Sequence, residues 1–218
     1  MKKVILMILA ILAFTTTYSQ TEKGKMYING SFSFDNNISN QTYANDTYDG
    51  KRLSLSFSPG FGYFIKDNLS ISGGLTFNIS NNYNVQHDPI SGATPHTYNS
   101  NVYGINLNSK YYKNISDKIY FFIQGGIYYS YITIKNESPS LLTINNNGHQ
   151  NMYSINFNPG LTYFYNTHFG ITAYYGGLGY SYYNTIYKDS PNNYHYNGSY
   201  FNFSFGLKTL YLGVSYCF

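Results

Sequence analysis

The chain has 218 residues, of which 43% are hydrophobic and 20% aromatic, while only 10% are charged. Ordinary soluble domains carry about 25% charged residues, so this chain does not rely on charge to stay in water. Its mean hydropathy of -0.32 excludes a bundle of transmembrane helices, each of which would need about 20 consecutive apolar residues. The composition therefore favours a surface that alternates, residue by residue, between apolar and polar side chains.

The amino-terminal residues have the layout of a secretory signal peptide. Two lysines precede an apolar run at residues 4–14, and small or short side chains follow up to Ser19. A positive start, an apolar run of roughly 7 to 15 residues and a small-residue cleavage site define such signals. We predict cleavage after Ser19, which leaves Gln20 first and exports the protein. A retained helical anchor is the alternative, and the run is short for it.

Charge and cysteine content exclude several classes of function. The 13 basic and 9 acidic residues are nearly balanced and form no basic cluster after the signal peptide, so we expect no nucleic-acid partner. Cys217 is the single cysteine, which rules out an internal disulfide. No phosphate-binding loop, dinucleotide fingerprint or CxxC motif occurs, so we expect no cofactor.

Period-two alternation of apolar and polar residues recurs after the signal peptide. Leu53, Leu55 and Phe57 alternate with serines, and the segment 69–80 continues the pattern. Successive side chains of a strand point to opposite faces, so one face of each strand is apolar and the other small or hydrogen-bonding. We predict strands at residues 26–34, 51–64, 69–80, 99–113, 118–132, 151–165, 168–183 and 199–218.

An internal repeat supports the count of strands. SLSFSPGFGYF at residues 54–64 recurs as SINFNPGLTYF at 154–164, and GINLNSKYY at 104–112 is a shorter match between them. Each segment precedes a strand with two glycines and an aliphatic residue, such as Gly73-Gly74-Leu75. The repeating unit is therefore a hairpin of about 50 residues.

The connections alternate in length. Short ones lie around 66–68, 114–117 and 166–167, and long polar ones around 35–50, 81–98, 133–150 and 184–198. Outer-membrane barrels have short periplasmic turns and longer extracellular loops. Both termini should be periplasmic, which requires an even number of strands. At Lys208-Thr209 the apolar residues change from odd to even positions. We interpret this change as a β-bulge and not as a hairpin turn, because a turn would make the number of strands odd. A second bulge is predicted at 173–177.

The fold class predicted is all-β: an eight-stranded antiparallel up-and-down transmembrane β-barrel with short periplasmic turns and long extracellular loops. A sheet can cross a bilayer only when it is closed, because lipid leaves a free edge unsatisfied. We expect Tyr63, Tyr103, Tyr111, Tyr131, Tyr153 and Tyr163 in aromatic girdles, and Ser54, Ser56, Asn106, Asn108, Gln124, Asn156, Asn158 and Thr162 in a hydrogen-bonded interior. A soluble β-sandwich or lipocalin-like barrel is the alternative, and it would carry more charge outside.

Lys110 is the one clear inward charge predicted in a middle strand. The other strands offer no obvious acidic partner, so we expect its amine to reach periplasmic water at the end of its strand.

The last residues, LYLGVSYCF, alternate to the end of the sequence. Leu212, Val214, Tyr216 and Phe218 share one apolar face. This ending resembles the carboxy-terminal signal of bacterial outer-membrane proteins, in which a last strand ending in Phe is recognised by the barrel assembly machinery. The four residues are therefore a candidate membrane-assembly signal, and the resemblance implies that machinery as a partner during biogenesis.

The chain resembles the small outer-membrane β-barrel proteins of Bacteroidetes-type bacteria, the OmpA/OmpX-like outer membrane protein beta-barrel domain group. The resemblance covers residues 20–218 and rests on the signal peptide, the NPG-type motifs, the glycine pairs and LYLGVSYCF. It implies a location in the outer membrane, among its lipid and lipopolysaccharide. The sequence given does not include the peptidoglycan-binding domain of full-length OmpA-type proteins, so cell-wall tethering is not expected.

Residues able to do acid-base chemistry occur mainly in the predicted long loops. These are His87, Asp88 and His96 in the second loop, Glu137, Ser138 and His149 in the third, and Asp189, Ser190 and His195 in the fourth. Loops at one rim can bring a nucleophile, a base and an acid together, but no spacing matches a family motif. No histidine pair has the spacing of metal ligands, so neither a catalytic nor a metal site is predicted.

Three functions remain open. The favoured one is a non-enzymatic integral barrel whose Tyr- and Asn-rich loops serve adhesion, envelope structure or partner binding, possibly within a larger outer-membrane complex. The second is a lipid A-modifying enzyme, and the third is a narrow pore.

Overall fold

The computed structural model describes residues 20–43, 46–88, 92–137, 147–188, 194–205 and 210–218. The predicted signal peptide lies outside these residues. The strands are β1 Met26–Tyr43, β2 Asp46–Lys66, β3 Leu69–Asp88, β4 Gly92–Ser116, β5 Ile119–Glu137, β6 Gly148–Phe164, β7 Phe169–Tyr175, β8 Gly177–Tyr187, β9 Tyr194–Ser204 and β10 Leu210–Cys217. Within the described ranges, no helix has the length and apolar composition needed to cross a bilayer.

The strands form one closed antiparallel sheet with neighbours in chain order. β1 to β6 pair successively, β6 pairs with β7 and β8, and β10 pairs with both β7 and β1. β7 and β8 are the two halves of the seventh barrel strand, and β9 and β10 are the two halves of the eighth. The prediction of an eight-stranded up-and-down barrel is confirmed.

The bulge predicted at 173–177 is present. β6 pairs Gly160 with Tyr174 and Phe157 with Leu178, so two residues of β6 face three of the opposing strand. Gly176 takes the extra place with a φ of 65°, a left-handed conformation that glycine adopts without steric cost. The extra residue moves the outward side chains from odd positions in β7 to even positions in β8.

The chain does not reverse between β9 and β10. β9 runs antiparallel to β8 and β10 runs antiparallel to β7, so the two segments have the same direction. The choice against a hairpin turn is therefore confirmed, while the bulge proposed at Lys208-Thr209 lies outside the described residues.

The strands extend further toward the extracellular side than predicted, so the connections there are shorter than the sequence indicated. β1 continues to Tyr43 and β2 begins at Asp46, and the other long connections are shortened in the same way. The Asn-, Ser- and Thr-rich segments have no apolar row, but their backbones still pair across each hairpin. Strands β2 to β6 are 17 to 25 residues long, whereas roughly 9 to 11 suffice to cross a bilayer. The wall therefore continues beyond the membrane on the side opposite the short turns.

The barrel is apolar outside and polar inside. Rows such as Leu75, Phe77 and Ile79 on β3 are exposed, whereas small polar side chains pair inside, with the hydroxyl oxygens of Ser154 and Ser181 2.8 Å apart. Of the predicted interior residues, Ser54, Asn108, Gln124 and Thr162 are buried and Ser56, Asn106, Asn156 and Asn158 half-buried. The predicted girdle residues are all exposed, namely Tyr63, Tyr103, Tyr111, Tyr131, Tyr153 and Tyr163.

In the part of the chain that the structure describes, the first and last strands pair over a short length; residues 206–209, between β9 and β10, lie outside that part. β1 pairs with β10 over four residues, from Tyr27 to Gly30. Among the described residues, β1 has no partner on that side beyond Gly30, and β9 pairs with β8 alone. We call these two free edges, residues 31–40 of β1 and Tyr194–Ser204 of β9, the seam. Phe32 and Phe203 on either side of the seam are 67% and 71% exposed.

Replacing Gly176 by alanine is expected to lower the free energy of unfolding by about 1 to 3 kcal/mol. A Cβ there would collide with the carbonyl oxygen of Ser204 in a left-handed conformation. The measurement is urea unfolding of the barrel in lipid vesicles, followed by circular dichroism. Gly73→Ala is the matched control, because its Cβ would meet only the carbonyl oxygen of Asn106 at 3.7 Å, and its loss should stay within about 0.5 kcal/mol. Equal losses would contradict the strained-bulge account.

Candidate functional site

The periplasmic end of the lumen is filled by aromatic rings. Phe64 and Phe122 are 1% and 0% exposed, and their rings contact a common neighbour, Tyr112, at centroid distances of 5.6 and 5.7 Å. The ring of Tyr174 lies edge-on to Phe122 at 5.2 Å. We call this cluster the aromatic plug; its members are Tyr27, Phe64, Tyr112, Tyr120, Phe122, Phe164 and Tyr174, with Cys217 packed among them.

The segment before β1 lies across the outer side of the plug. The hydroxyl of Thr21 donates to Oδ1 of Asn68 at 2.7 Å in the β2–β3 turn. The hydroxyl of Tyr120, on β5, reaches Oε1 of Gln20 at 3.4 Å. Thr21 is only 2% exposed. Residues 20–25 therefore help to close the periplasmic mouth.

Lys110 lies directly above the plug, and the prediction that it reaches periplasmic water is wrong. It is 3% exposed, its Nζ donates to the hydroxyl oxygen of Tyr174 at 2.7 Å, and Nζ is 5.0 Å from the ring centroids of Phe122 and Tyr174. Aromatic faces attract a cation through their quadrupole. Because the plug stands between the amine and the periplasm, the side chain stays inside the lumen.

A hydrogen-bonded layer surrounds Lys110. The hydroxyl of Tyr174 donates to Oε1 of Gln124 at 3.4 Å, and Nε2 of Gln124 donates to Oδ1 of Asn108 at 3.1 Å. The hydroxyl of Tyr128 donates to the same Oδ1 at 2.6 Å. The layer therefore joins three strands across the lumen, and a cavity of about 200 Å³ adjoins it.

A wider vestibule of about 460 Å³ lies toward the extracellular end. Its wall combines amides with tyrosine rings. Nε2 of Gln150 donates to the hydroxyl oxygen of Thr185 at 2.9 Å, and Nδ2 of Asn82 donates to the carbonyl oxygen of Tyr98 at 3.3 Å. Burial, with a smaller contribution from Tyr187, raises the pKa of Tyr98, so this phenol is neutral at physiological pH.

Sequence reasoning missed the aromatic plug, although a signal was present. Strands end at the periplasmic side in adjacent aromatic pairs, such as Tyr63-Phe64 and Tyr111-Tyr112. Alternation sends one ring of each pair outward to the girdle and the other inward. The outward members are the predicted girdle residues, and the inward members belong to the plug.

The histidines considered for catalysis lie on different sides of the wall. The ring of His149 packs against that of Tyr131 on the outer face, at 5.6 Å. His195 shares this outward parity, with β8 between them. His96 has the lumen-facing parity of Tyr98. The described residues therefore bring these side chains to no common point.

The fifth histidine lies far from this end of the barrel. His168 lies at the periplasmic end, where its Nδ1 is 3.0 Å from the carbonyl oxygen of Cys217. No three His, Cys, Asp or Glu side chains in the described part of the chain are placed to hold a metal ion. Outside the described part lie the side chains of His87, Asp88 and Glu137 and the residues Ser138, Asp189 and Ser190.

The candidate assembly signal faces outward on the last strand. Leu212, Val214 and Phe218 are exposed, and the ring of Tyr216 stacks on that of His168 with centroids 5.5 Å apart. The backbone N–H of Phe218 donates to the carbonyl oxygen of Met26 at 2.9 Å, so this strand closes the barrel. Its recognition by an assembly machinery stays a prediction.

A closed antiparallel barrel with an apolar exterior, a polar interior and short turns at the end where β1 begins and β10 ends is an outer-membrane β-barrel protein. The chain belongs to the family described as outer membrane protein beta-barrel domain, which matches residues 5–208. Its location is accordingly the outer membrane. A search of curated proteins finds no match.

Solved outer-membrane barrels resemble the structure at low sequence identity. The translocator domain of the autotransporter NalP from Neisseria meningitidis is 12% identical with a TM-score of 0.49, covering 99% of this chain and 94% of that one. OprG from Pseudomonas aeruginosa is 15% identical with a TM-score of 0.44, covering 92% and 99%. A major outer membrane protein from Thermus thermophilus is 11% identical with a TM-score of 0.45, covering 90% and 100%.

Phe122→Ala is expected to lower the free energy of unfolding by about 3 to 5 kcal/mol, because it leaves a cavity in the aromatic plug. Phe157→Ala is the matched control: Phe157 is 50% exposed on the outer face, where lipid chains can occupy the vacated space. Urea titrations of both variants in lipid vesicles measure the difference. If the control loses as much stability as Phe122→Ala, the plug is not the tightly packed part of the barrel.

Proposed function

We propose that this protein is a non-enzymatic integral barrel that binds a protein partner on its extracellular side, in an adhesion, structural or complex-forming role. The seam is the observation that supports the proposal, because it leaves two strand edges without a neighbouring strand among the described residues. Lipid and lipopolysaccharide would surround the apolar band, while the partner would occupy the seam.

Backbone geometry identifies the groups that face the seam. The N–H of Met26 donates to the carbonyl oxygen of Phe218 at 3.2 Å, so even-numbered residues of β1 direct their backbone groups to this side. In an antiparallel ladder the direction alternates from one residue to the next. Phe34, Asn36 and Ile38 therefore present N–H and C=O groups at the seam, while the odd-numbered residues pair with β2.

An unpaired strand edge is unstable where it meets lipid. Each unsatisfied backbone group in hydrocarbon costs several kcal/mol. The part of the seam nearest the periplasm lies at the height of the apolar band, because its phenylalanines are exposed on the outer face, namely Phe32, Phe34, Phe201 and Phe203. An extended segment of another polypeptide would supply the missing donors and acceptors by β-strand addition. The partner is therefore expected to contribute a strand with alternating apolar and polar residues.

The aromatic plug favours binding over conduction. A solute crossing the lumen would have to displace rings such as Phe64 and Phe122, which are almost completely buried. Tyr194, Tyr196 and Tyr200 on β9 are also exposed, on the lumen-facing side of the strand opposite to His195, and they add contact surface at the extracellular rim. Tyrosine combines a large apolar ring with a hydrogen-bonding tip, which suits a protein interface.

A photoreactive residue at position 36 tests the proposal in intact cells. We expect a discrete cross-link to a protein, which mass spectrometry should map to an extended, alternating segment. The same photoreactive residue at position 107 is the control, because Leu107 lies on the outer face of β4, which is paired on both sides. A cross-link to lipid alone at position 36 would contradict partner binding at the seam.

A proline at the same position tests the role of the backbone. Asn36→Pro removes one N–H from the seam and leaves the β1–β2 ladder intact. The yield of the partner, once the cross-link has identified it, should therefore fall at least tenfold in copurification from mild detergent. Asn36→Ala keeps the N–H and should retain the partner. Equal recovery with both variants would show that the edge does not form the interface.

A further inference from the structure

Lys110 is a buried amine with incomplete hydrogen bonding. An ammonium group has three N–H donors, and among the described residues the hydroxyl oxygen of Tyr174 is the acceptor found for Nζ, at 2.7 Å. The ring centroid of Phe122 lies 5.0 Å from Nζ on one side. At least one further donor is therefore free to bind a group inside the lumen.

The charge of this amine has no carboxylate beside it. Among the described acidic residues, Glu22, Asp67 and Asp117 lie near the periplasmic turns, and Asp35 and Asp49 lie in the extracellular parts of β1 and β2. None of the described residues that line the adjoining cavity is acidic. Burying an unpaired charge costs several kcal/mol, so the site favours either a neutral amine or an anion from solution.

The cavity beside Lys110 suits an anion. Its volume is about 200 Å³, which is enough for a small anion together with water molecules. Besides Lys110, it is lined by neutral hydroxyl and amide groups that can donate hydrogen bonds, among them Ser72, Thr76 and Asn106. Ser72 is only 5% exposed. A positive group and several neutral donors around a small space are the elements of an anion site.

We propose that the lumen binds a small monovalent anion, chloride or a carboxylate of the size of formate, held by Nζ of Lys110 and by the hydroxyl and amide donors of the cavity. The anion neutralises the buried ammonium and joins the hydrogen-bonded layer to the serines and threonines above it. This site shares no residue with the seam, so the tests of anion binding do not depend on the proposed function.

Thermal unfolding of the purified barrel in detergent measures the binding. At constant ionic strength, replacing sodium gluconate by sodium chloride should raise the Tm along a saturable curve. A second titration with sodium formate tests whether a carboxylate binds instead of chloride. Gluconate is the reference because it is a weakly binding anion that is several times larger than chloride or formate. Coincident curves in chloride, formate and gluconate would overturn the proposal and indicate a neutral amine with water.

Two variants connect the effect to the site. Lys110→Met keeps the length and packing of the side chain and should abolish the anion-dependent rise in Tm. Lys118→Met, in the exposed β4–β5 turn, should preserve it. Ser72→Ala keeps the charge and should shift the midpoint of the curve to a several-fold higher anion concentration, which provides a readout if Lys110→Met does not fold. An unchanged curve in Ser72→Ala and in Lys110→Met would contradict the assignment.

Crystals of the wild-type protein soaked in bromide give a direct observation. An anomalous peak within hydrogen-bonding distance of Lys110 Nζ is expected. A cavity without such a peak under saturating bromide would exclude a halide, and a formate response in the thermal assay would then assign the site to the carboxylate.

Discussion

The fold depends on one constraint, which is that backbone N–H and C=O groups in hydrocarbon must find partners within the protein. A sheet meets this constraint only by closing on itself, and here the closing contact is short: β1 pairs with β10 from Tyr27 to Gly30. The mutual hydrogen bonds of Met26 and Phe218 complete it at the periplasmic end. Closure at this end places the start of β1 and the end of β10 on one side and sets the direction of every strand between them.

Once the sheet is closed, its two faces meet different surroundings and the lumen becomes stratified. Residues 20–25 and the aromatic plug fill the periplasmic end, the layer of Lys110, Gln124 and Asn108 lies above them, and the cavity and the vestibule follow. Packing rather than charge seals the barrel, which agrees with a sequence so poor in charged residues. Between the described parts of β1, β9 and β10 the pairing is incomplete at the seam, and we expect another polypeptide to bind there, on the extracellular side.

Side-chain parity explains which features the sequence could predict. Alternation fixes the outward rows, the girdle tyrosines and even the bulge at Gly176, because one extra residue reverses the parity of everything after it. The polar hairpins escaped prediction because strands such as the outer part of β1 have no apolar row, and their pairing is visible only in the backbone. The environment of Lys110 and the seam could not be predicted for another reason, which is that both depend on which distant strands become neighbours. Tyr174, for example, is 64 positions from Lys110 in sequence.

The central claim is that odd-numbered residues of β3 face lipid and even-numbered residues face the lumen. Nitroxide labels at successive single cysteines from residue 71 to 78, in a Cys217→Ala background reconstituted in vesicles, test it directly through accessibility to oxygen and to a water-soluble nickel complex. High oxygen accessibility at Ile71, Leu75 and Phe77, alternating with low accessibility at Ser72, Thr76 and Asn78, is the result expected. Uniform accessibility along the strand, or alternation of the opposite phase, would contradict the inside-out barrel.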